Sequence, residues 1–297
     1  MKDIIFISGA SGFVGSAVRQ FFSSSEIITF LRGEKIEIPD SDIVLHLAGK
    51  AHDLKKVSSP DDYYKVNTEL TKEIFDAFLI SKAKVFITLS SVKAVADEVD
   101  GELFENTTPN PITHYGKSKL LAEQYIVSKP IPAGKRVYIL RPCMIHGPGN
   151  KGNLNLLYSL VSKGLPWPLG LFKNSRSYLS IDNLFFIIKE LIEREDIPSG
   201  VYNVADDIPL STNEVINIIA VSKGKKAMIL NMSQNLIKLL ARVGDFLKLP
   251  LDSERLQKLT ESYVVSNTKI KEALGKSLPV SSKEGLMRTF KSFADNA

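Results

Sequence analysis

Seven residues near the N-terminus, Gly9-Ala10-Ser11-Gly12-Phe13-Val14-Gly15, constrain the fold of this chain more than any others. They follow an apolar, β-branched run, Lys2-Asp3-Ile4-Ile5-Phe6-Ile7-Ser8, of the kind that fills a strand buried on both faces of a parallel sheet. They lead into Phe13 to Phe22, where apolar residues recur at helical spacing. Gly9, Gly12 and Gly15 therefore fall at a strand-to-helix junction. There they permit a tight turn, let the backbone approach a pyrophosphate, and let the helix pack close to the sheet. The flanking strand and helix are what distinguish a dinucleotide cradle from a glycine-rich turn with no ligand.

Further apolar runs repeat the strand signal at Ile27 to Leu31, Ile43 to Leu47, Val85 to Leu89 and Val137 to Leu140. Helical patterns lie between most of them, most clearly at Tyr64 to Ile80 and His114 to Val127. This alternation predicts an α/β fold built on a doubly wound parallel sheet. The link from Phe30 to Ile43 is too short, and too rich in Glu, Pro and Asp, for a full helix. After Arg141-Pro142 the alternation breaks at Gly147-Pro148-Gly149 and Leu165-Pro166-Trp167-Pro168-Leu169-Gly170, and helices dominate, with Val201 to Val204 as a last strand of the main sheet. The expected division is a dinucleotide-binding domain over residues 1–145, with 181–205 returning to it. A smaller, mostly helical substrate lobe would take 146–180 and 206–297. A chain of 297 residues is long enough for both.

Composition excludes several classes. The net charge of +5 comes without a basic block interleaved with aromatics, which argues against a nucleic-acid partner. Cys143 is the only cysteine, so no intramolecular disulfide and no cysteine metal cluster can form, and a cytoplasmic setting follows. His46, His52, His114 and His146 show no ligand spacing, so no metal is expected. Neither a signal peptide nor a transmembrane run is apparent. Leu236 to Val243 is amphipathic and is expected to pack onto the second lobe rather than meet a membrane.

The chemistry is carried by Ser91, Tyr115 and Lys119. A Tyr and a Lys four residues apart share a helix face, so the ammonium can poise the phenol's proton. The phenol's ordinary value near 10 would have to come down, as a nearby cation favours. A Ser91 hydroxyl leaving a separate strand end could then hold a substrate oxygen while Tyr115 exchanges its proton, which is alcohol/ketone chemistry. Tyr-x-x-x-Lys alone is common on surface helices; its position after the glycine turn gives it meaning.

These motifs, in order, resemble the extended short-chain dehydrogenase/reductase family of nucleotide-sugar epimerases, dehydratases and reductases. They are GASGFVG, HLAG with Leu47, Ala48 and Gly49, KVNTELT with Asn67, LSS with Ser90 and Ser91, YGKSK, RPCMIHGPG and NSRSYLSIDNL. The resemblance covers nearly the whole chain and implies a Rossmann-type fold. It implies Tyr115 as acid/base, Lys119 as the residue that tunes it and binds the nicotinamide ribose, and Ser91 at the reacting oxygen. Gly9, Ser11, Gly12, Phe13, Val14, Gly15, Leu47, Ala48, Gly49 and Asn67 would serve the cofactor, and Asn153 and Arg176 the sugar diphosphate. Helix N-termini and guanidinium forks suit phosphate oxygens, although Asn153 could equally be a helix cap and Arg176 a surface ion pair.

Departures from the family pattern matter as much. Met144 stands where the 4-epimerases commonly have Asn. Val92-Lys93 follows the catalytic hydroxyl where dehydratases place an Asp-Glu pair, which removes the acid that dehydration needs. Lys93 is either a substrate contact or a solvated loop lysine. The whole pattern looks most like the subgroup containing reductases that make N-acetylquinovosamine from a 4-keto-6-deoxy UDP-sugar. Arg32, where a NAD-selective site would carry an acid, favours NADP over NAD. The expectation is a UDP-4-keto-6-deoxy-hexosamine reductase, with UDP-hexose 4-epimerase as the alternative and a non-catalytic NADP-binding regulator as a more remote one. A homodimer through the helices Tyr64 to Ile80 and His114 to Val127 is implied.

Overall fold

The computed structural model describes residues 3–30, 33, 36–50, 59–150, 152–247 and 252–295. The chain runs β1 (Ile4–Ser8), α1 (Phe13–Phe21), β2 (Glu26–Phe30) and β3 (Ile43–His46). One continuous helical run follows, made of α2 (Pro60–Tyr63), a π-helical stretch (Tyr64–Glu69) and α3 (Leu70–Ile80). Then come β4 (Val85–Leu89), a 3₁₀ turn (Val92–Ala94), β5 (Glu102–Leu103), α4 (His114–Ser128), β6 (Arg136–Pro142), β7 (Met144–His146) and α5 (Asn153–Ser162). The remainder is β8 (Tyr178–Ser180), α6 (Ile181–Glu193), β9 (Gly200–Val204), α7 (Thr212–Ser222), α8 (Gln234–Leu247), α9 (Ser253–Thr260), β10 (Val264–Val265), α10 (Thr268–Leu274) and α11 (Ser282–Asp295).

The central sheet has six parallel strands in the order β2-β1-β3-β4-β6-β9. Residues 36–42 form no helix or strand, as their composition suggested, and β3 pairs with β1 on the side away from β2. The strand order therefore reverses at β1, and ligands of open α/β sheets lie beyond the carboxyl ends of the strands at such a reversal. Ser8, which ends β1, is in register with both Phe30 and His46, so the loops after β1, β2 and β3 leave the sheet at one level.

Alternation along each strand sends side chains to two covered faces. Ile5, Ile7, Leu45, Ile87, Tyr138 and Leu140 pack with α1, α6 and α10. Phe6, Val44, Phe86, Val137 and Ile139 pack with Ile74, Phe75 and Phe78 of α3 and Ile126 of α4. Apolar residues on both sides of a strand are what a doubly covered parallel sheet needs. A second apolar cluster, including Leu154, Trp167, Ile216, Ile237, Leu256 and Phe290, is built mostly from helices. Two short parallel pairs, β5 with β10 and β7 with β8, tie later segments to the sheet.

One element differs from its sequence pattern. The helix expected from Tyr64 begins at Pro60, and its first part widens into the π-helical stretch around Asn67. The amphipathic α8 packs onto the second cluster through Ile237 and Ala241, with Gly244 also buried, while its leucines, Val243 and Phe246 remain exposed.

Candidate active site

Gly9 turns with φ +81°, and a Cβ there would lie 2.5 Å from the Ala48 nitrogen, so the loops after β1 and β3 touch through bare backbone. At Gly15 a Cβ would lie 2.0 Å from the Gly9 oxygen, which fixes how closely α1 approaches the turn. Gly12 caps α1 with no side-chain hydrogen bond, and no acid stands in the first turn. The free N–H groups and the positive helix end are thus left for an anion.

Above this turn opens a cleft of about 1300 Å³ lined by Gly9, Ser11, Gly12, Leu47, Ala48 and Gly49, all expected at a cofactor. The side chains of Phe13 and Val14 pack against the main core, and Gly15 is buried in the helix contact. Arg32, on which the choice of NADP rested, lies outside the described residues, as does His52. Sequence reasoning missed the far wall, formed by Val66, Leu70, Glu73, Ala77 and Ile80 with Asp76. The signal was available, because those first five positions form one stripe along a helix.

Asn67 is fully buried, and the π-helical stretch aims its amide across the fold. Its Oδ1 accepts the Lys50 N–H at 2.7 Å, while Nδ2 donates to the Lys50 carbonyl at 3.1 Å and to Ser118 Oγ at 3.0 Å. It thereby clamps the loop after β3 to α4. Such π segments are frequent at functional sites because they re-aim a side chain.

On α4, Thr113 caps the helix through the Gly116 N–H at 3.1 Å, and Asp97 accepts hydrogen bonds from the Ile112 N–H at 2.6 Å and Thr113 Oγ1 at 3.0 Å. Asp97 was not singled out by sequence, yet it anchors the turn that presents Tyr115. Tyr115 lies beside Ser91, and its ring meets Tyr63 edge-on, with centroids 6.3 Å apart. Burial pushes the phenol's pKa up, against the opposing pull of Ser91. Lys119, one turn on, donates to the Leu89 carbonyl at 2.8 Å. Burial pushes its pKa down to about 8, and nearby Glu123 works against that. The Lys119 ammonium is thus engaged by a β4 carbonyl, and burial is the largest influence on the phenol.

Beneath these groups lies a buried network. Arg141 donates to both Glu123 oxygens through Nε at 3.0 and 3.1 Å and through Nη2 to Oε2 at 2.6 Å, and Ser90 Oγ also donates to Glu123.

Asn153 and Arg176 line a second cavity of about 610 Å³ with Met144, Trp167, Tyr178 and Lys258. Asn153 does not cap α5; Asn155 does so, its Oδ1 accepting the Gly152 N–H at 3.0 Å. Arg176 is held by the Lys258 carbonyl at 2.5 Å and by Glu261 at 3.3 Å. Lys93 is no solvated loop lysine. Its Nζ donates to the Asp97 carbonyl at 2.6 Å and sits 4.2 Å above the Tyr263 ring, and burial lowers its pKa. Its backbone N–H donates to Ser91 Oγ at 3.2 Å, which puts this pair in one turn. Tyr263, under Lys93, and Glu261, beside Arg176, come from far along the chain.

Among known proteins, a UDP-glucose 4-epimerase of Vibrio cholerae is 30% identical over 99% of this chain and 96% of its own length. An Escherichia coli O157:H7 protein named N-acetyl-alpha-D-glucosaminyl-diphospho-ditrans,octacis-undecaprenol 4-epimerase is 27% identical over 97% of this chain and 95% of its own. The fold matches that of RMD from Pseudomonas aeruginosa, solved with NADPH, with a TM-score of 0.73 at 20% identity over 100% of both chains. The family described as NAD dependent epimerase/dehydratase matches residues 32–205, more than half of the chain. With the six-stranded parallel sheet, the glycine turn and the Ser-Tyr-Lys grouping, the chain belongs to this family of extended short-chain dehydrogenase/reductase enzymes.

Proposed function

We propose that the protein is an NAD(P)-dependent oxidoreductase acting at the 4-position of a nucleotide-diphosphate sugar. The observation that carries this reading is Tyr115 set beside Ser91, one helical turn from a buried Lys119. The first cavity suits a dinucleotide in size and in its side-chain-free turn, where any Cβ at Gly9 would collide with backbone. Residues 1–145 and 181–205 would serve that cofactor, and 146–180 with 206–297 the sugar nucleotide.

When bound, the nicotinamide supplies or accepts the hydride at the sugar carbon. Tyr115 exchanges the proton at the sugar oxygen, and Ser91 orients that oxygen. Lys119 places a cation below them, and Asn67 holds the adjoining loop. Asn153 and Arg176 would take the diphosphate, Arg176 leaving Glu261 to do so.

Within this chemistry we favour reduction of a UDP-4-keto-6-deoxy-hexosamine. Met144, standing where the family's 4-epimerases commonly carry Asn, supports that preference. 4-Epimerisation of a UDP-hexose is the second reading, favoured by the two relatives that carry that name. The test is nicotinamide absorbance while the protein meets NADPH and a UDP-4-keto-6-deoxy-N-acetylhexosamine. Stoichiometric loss of NADPH supports reduction. No loss, with conversion of a UDP-hexose to its 4-epimer in the presence of NAD, supports epimerisation, and absence of both reactions would overturn the proposal. We also infer a homodimer through α3 and α4, where Leu121 and Val127 are exposed.

A further inference from the structure

The outward face of α8 is the largest feature that the proposed chemistry leaves unexplained. Leu236, Leu239, Leu240, Val243, Phe246 and Leu247 are each between 43% and 87% exposed. At 3.6 residues per turn they fall within an arc of about 120°. Ile237, Ala241 and Gly244 form the edge that packs inward. A surface helix normally turns its apolar stripe to the core; here a second apolar stripe of six large side chains faces away from it. Contiguous apolar surface of this kind marks an interaction site.

The patch extends beyond the helix. The segment just before α8 pairs with the 167–170 segment, through Trp167 N–H to the Met228 carbonyl at 2.7 Å and Gly170 N–H to the Leu230 carbonyl at 3.1 Å. Gln234 then ties the start of α8 to the Leu171 carbonyl at 2.9 Å. Met228, Leu230 and Leu171 are exposed along this edge.

The charge around the patch identifies its occupant. Residues 163–173 and 223–247 carry exposed Lys163, Lys173, Lys225, Lys226, Lys238 and Arg242, and Asp245 is the only acid in either segment. Asp245 is engaged by the N–H and hydroxyl of Ser253 at 2.8 and 2.6 Å. The acids of the adjoining α9, Asp252 and Glu254, are paired with Arg255 and Lys258, so the apolar stripe keeps an excess of cations beside it, complementary to a layer of anionic headgroups over hydrocarbon. Among the described residues no helix is long and apolar enough to cross a membrane, so the contact would be with the surface.

We propose that α8, with the 228–230 edge beside it, docks the protein onto an anionic bilayer surface. α9, which Asp245 ties to α8 through Ser253, also walls the cavity holding Asn153 and Arg176. Docking would therefore bring that cavity near the membrane. The proposal does not depend on which sugar is turned over, or on whether any is.

The test is flotation of the full chain with vesicles of phosphatidylcholine and phosphatidylglycerol in equal parts, against phosphatidylcholine alone. The expected result is co-flotation with the anionic vesicles that falls about tenfold or more in Leu239→Asp/Phe246→Asp. A similar fall is expected for Lys225→Glu/Lys226→Glu and in about 0.5 M salt, where charge attraction is screened. Absence of flotation with anionic vesicles overturns the proposal, as does apolar-face variant flotation equal to the parent's. A dimer in sedimentation that Leu239→Asp/Phe246→Asp dissociates, in a protein that does not float, overturns it in favour of a subunit contact.

Discussion

A Cβ on residue 49 would stand 3.0 Å from Nζ of Lys119 and 3.4 Å from Oδ1 of Asn67, so Gly49 and Lys119 share one space. The neighbour that must yield is the end of a flexible side chain, not backbone. Gly49→Ala is therefore expected to leave the melting temperature within about 2 °C of the parent. Turnover should fall by roughly tenfold to a hundredfold, because displacing a positioned group by a fraction of an ångström is enough to do so. Thermal melts beside steady-state kinetics check this; a large loss of stability with unchanged activity per folded molecule would contradict it.

Tyr115→Phe removes only the hydroxyl that meets Ser91. The ring contact with Tyr63 and the capped start of α4 remain. Turnover is expected to fall by about 10²- to 10⁴-fold. Nicotinamide cofactor affinity, read by titration calorimetry, should change less than about threefold, since the glycine turn is untouched. Retained turnover would remove Tyr115 from the proposed role.

Glu123 carries two loads. It neutralises buried Arg141, and its charge holds the Lys119 pKa up against burial. Glu123→Ala leaves Arg141 uncompensated and is expected to cost about 3–5 kcal/mol, part of which Glu123→Ala/Arg141→Met restores. Glu123→Gln keeps hydrogen-bonding capacity without the charge, so the Lys119 pKa falls further below about 8. If the Lys119 cation supports the chemistry, the alkaline limb of the pH–rate profile moves to lower pH. An unmoved limb would separate Lys119 from that limb.

The parts legible in the sequence were those set by local pattern. The strands, α4 and the glycine turn follow from apolar periodicity and from backbone that only glycine can supply. Ser91, Tyr115 and Lys119 came from motif spacing and are brought together. The rest depended on partners distant in sequence. Asn67 was placed by resemblance, but its two-sided grip on Lys50 comes from a π-helical stretch with no glycine or proline to announce it. Asp97 and Glu261 are ordinary loop acids until the fold sets them against Thr113 and Arg176. The α8 pattern placed that helix against the second lobe, where Ile237 and Ala241 pack, but hydrophobic periodicity says how wide a stripe is, not how much of it is covered.

His46 ends β3 fully buried, its ring held by Ser8 Oγ at 2.5 Å and Thr71 Oγ1 at 2.8 Å. Burial, and then the charge of Lys119, push its pKa from an ordinary 6.5 to about 3. Between those values the unfolded chain takes up a proton that the folded one refuses, so stability rises with pH across that window. The contribution is fully present above pH 6.5 and is lost as pH falls towards 3. Between pH 7.5 and 4.5 this group alone should remove about 2 to 3 kcal/mol. His46→Asn cannot titrate, so its stability, although lower at neutral pH, should decline over that interval by about that much less than the parent's. Urea unfolding of both proteins at the two pH values measures the difference directly. Equal declines would show that His46 is protonated in the folded protein as readily as in the unfolded chain.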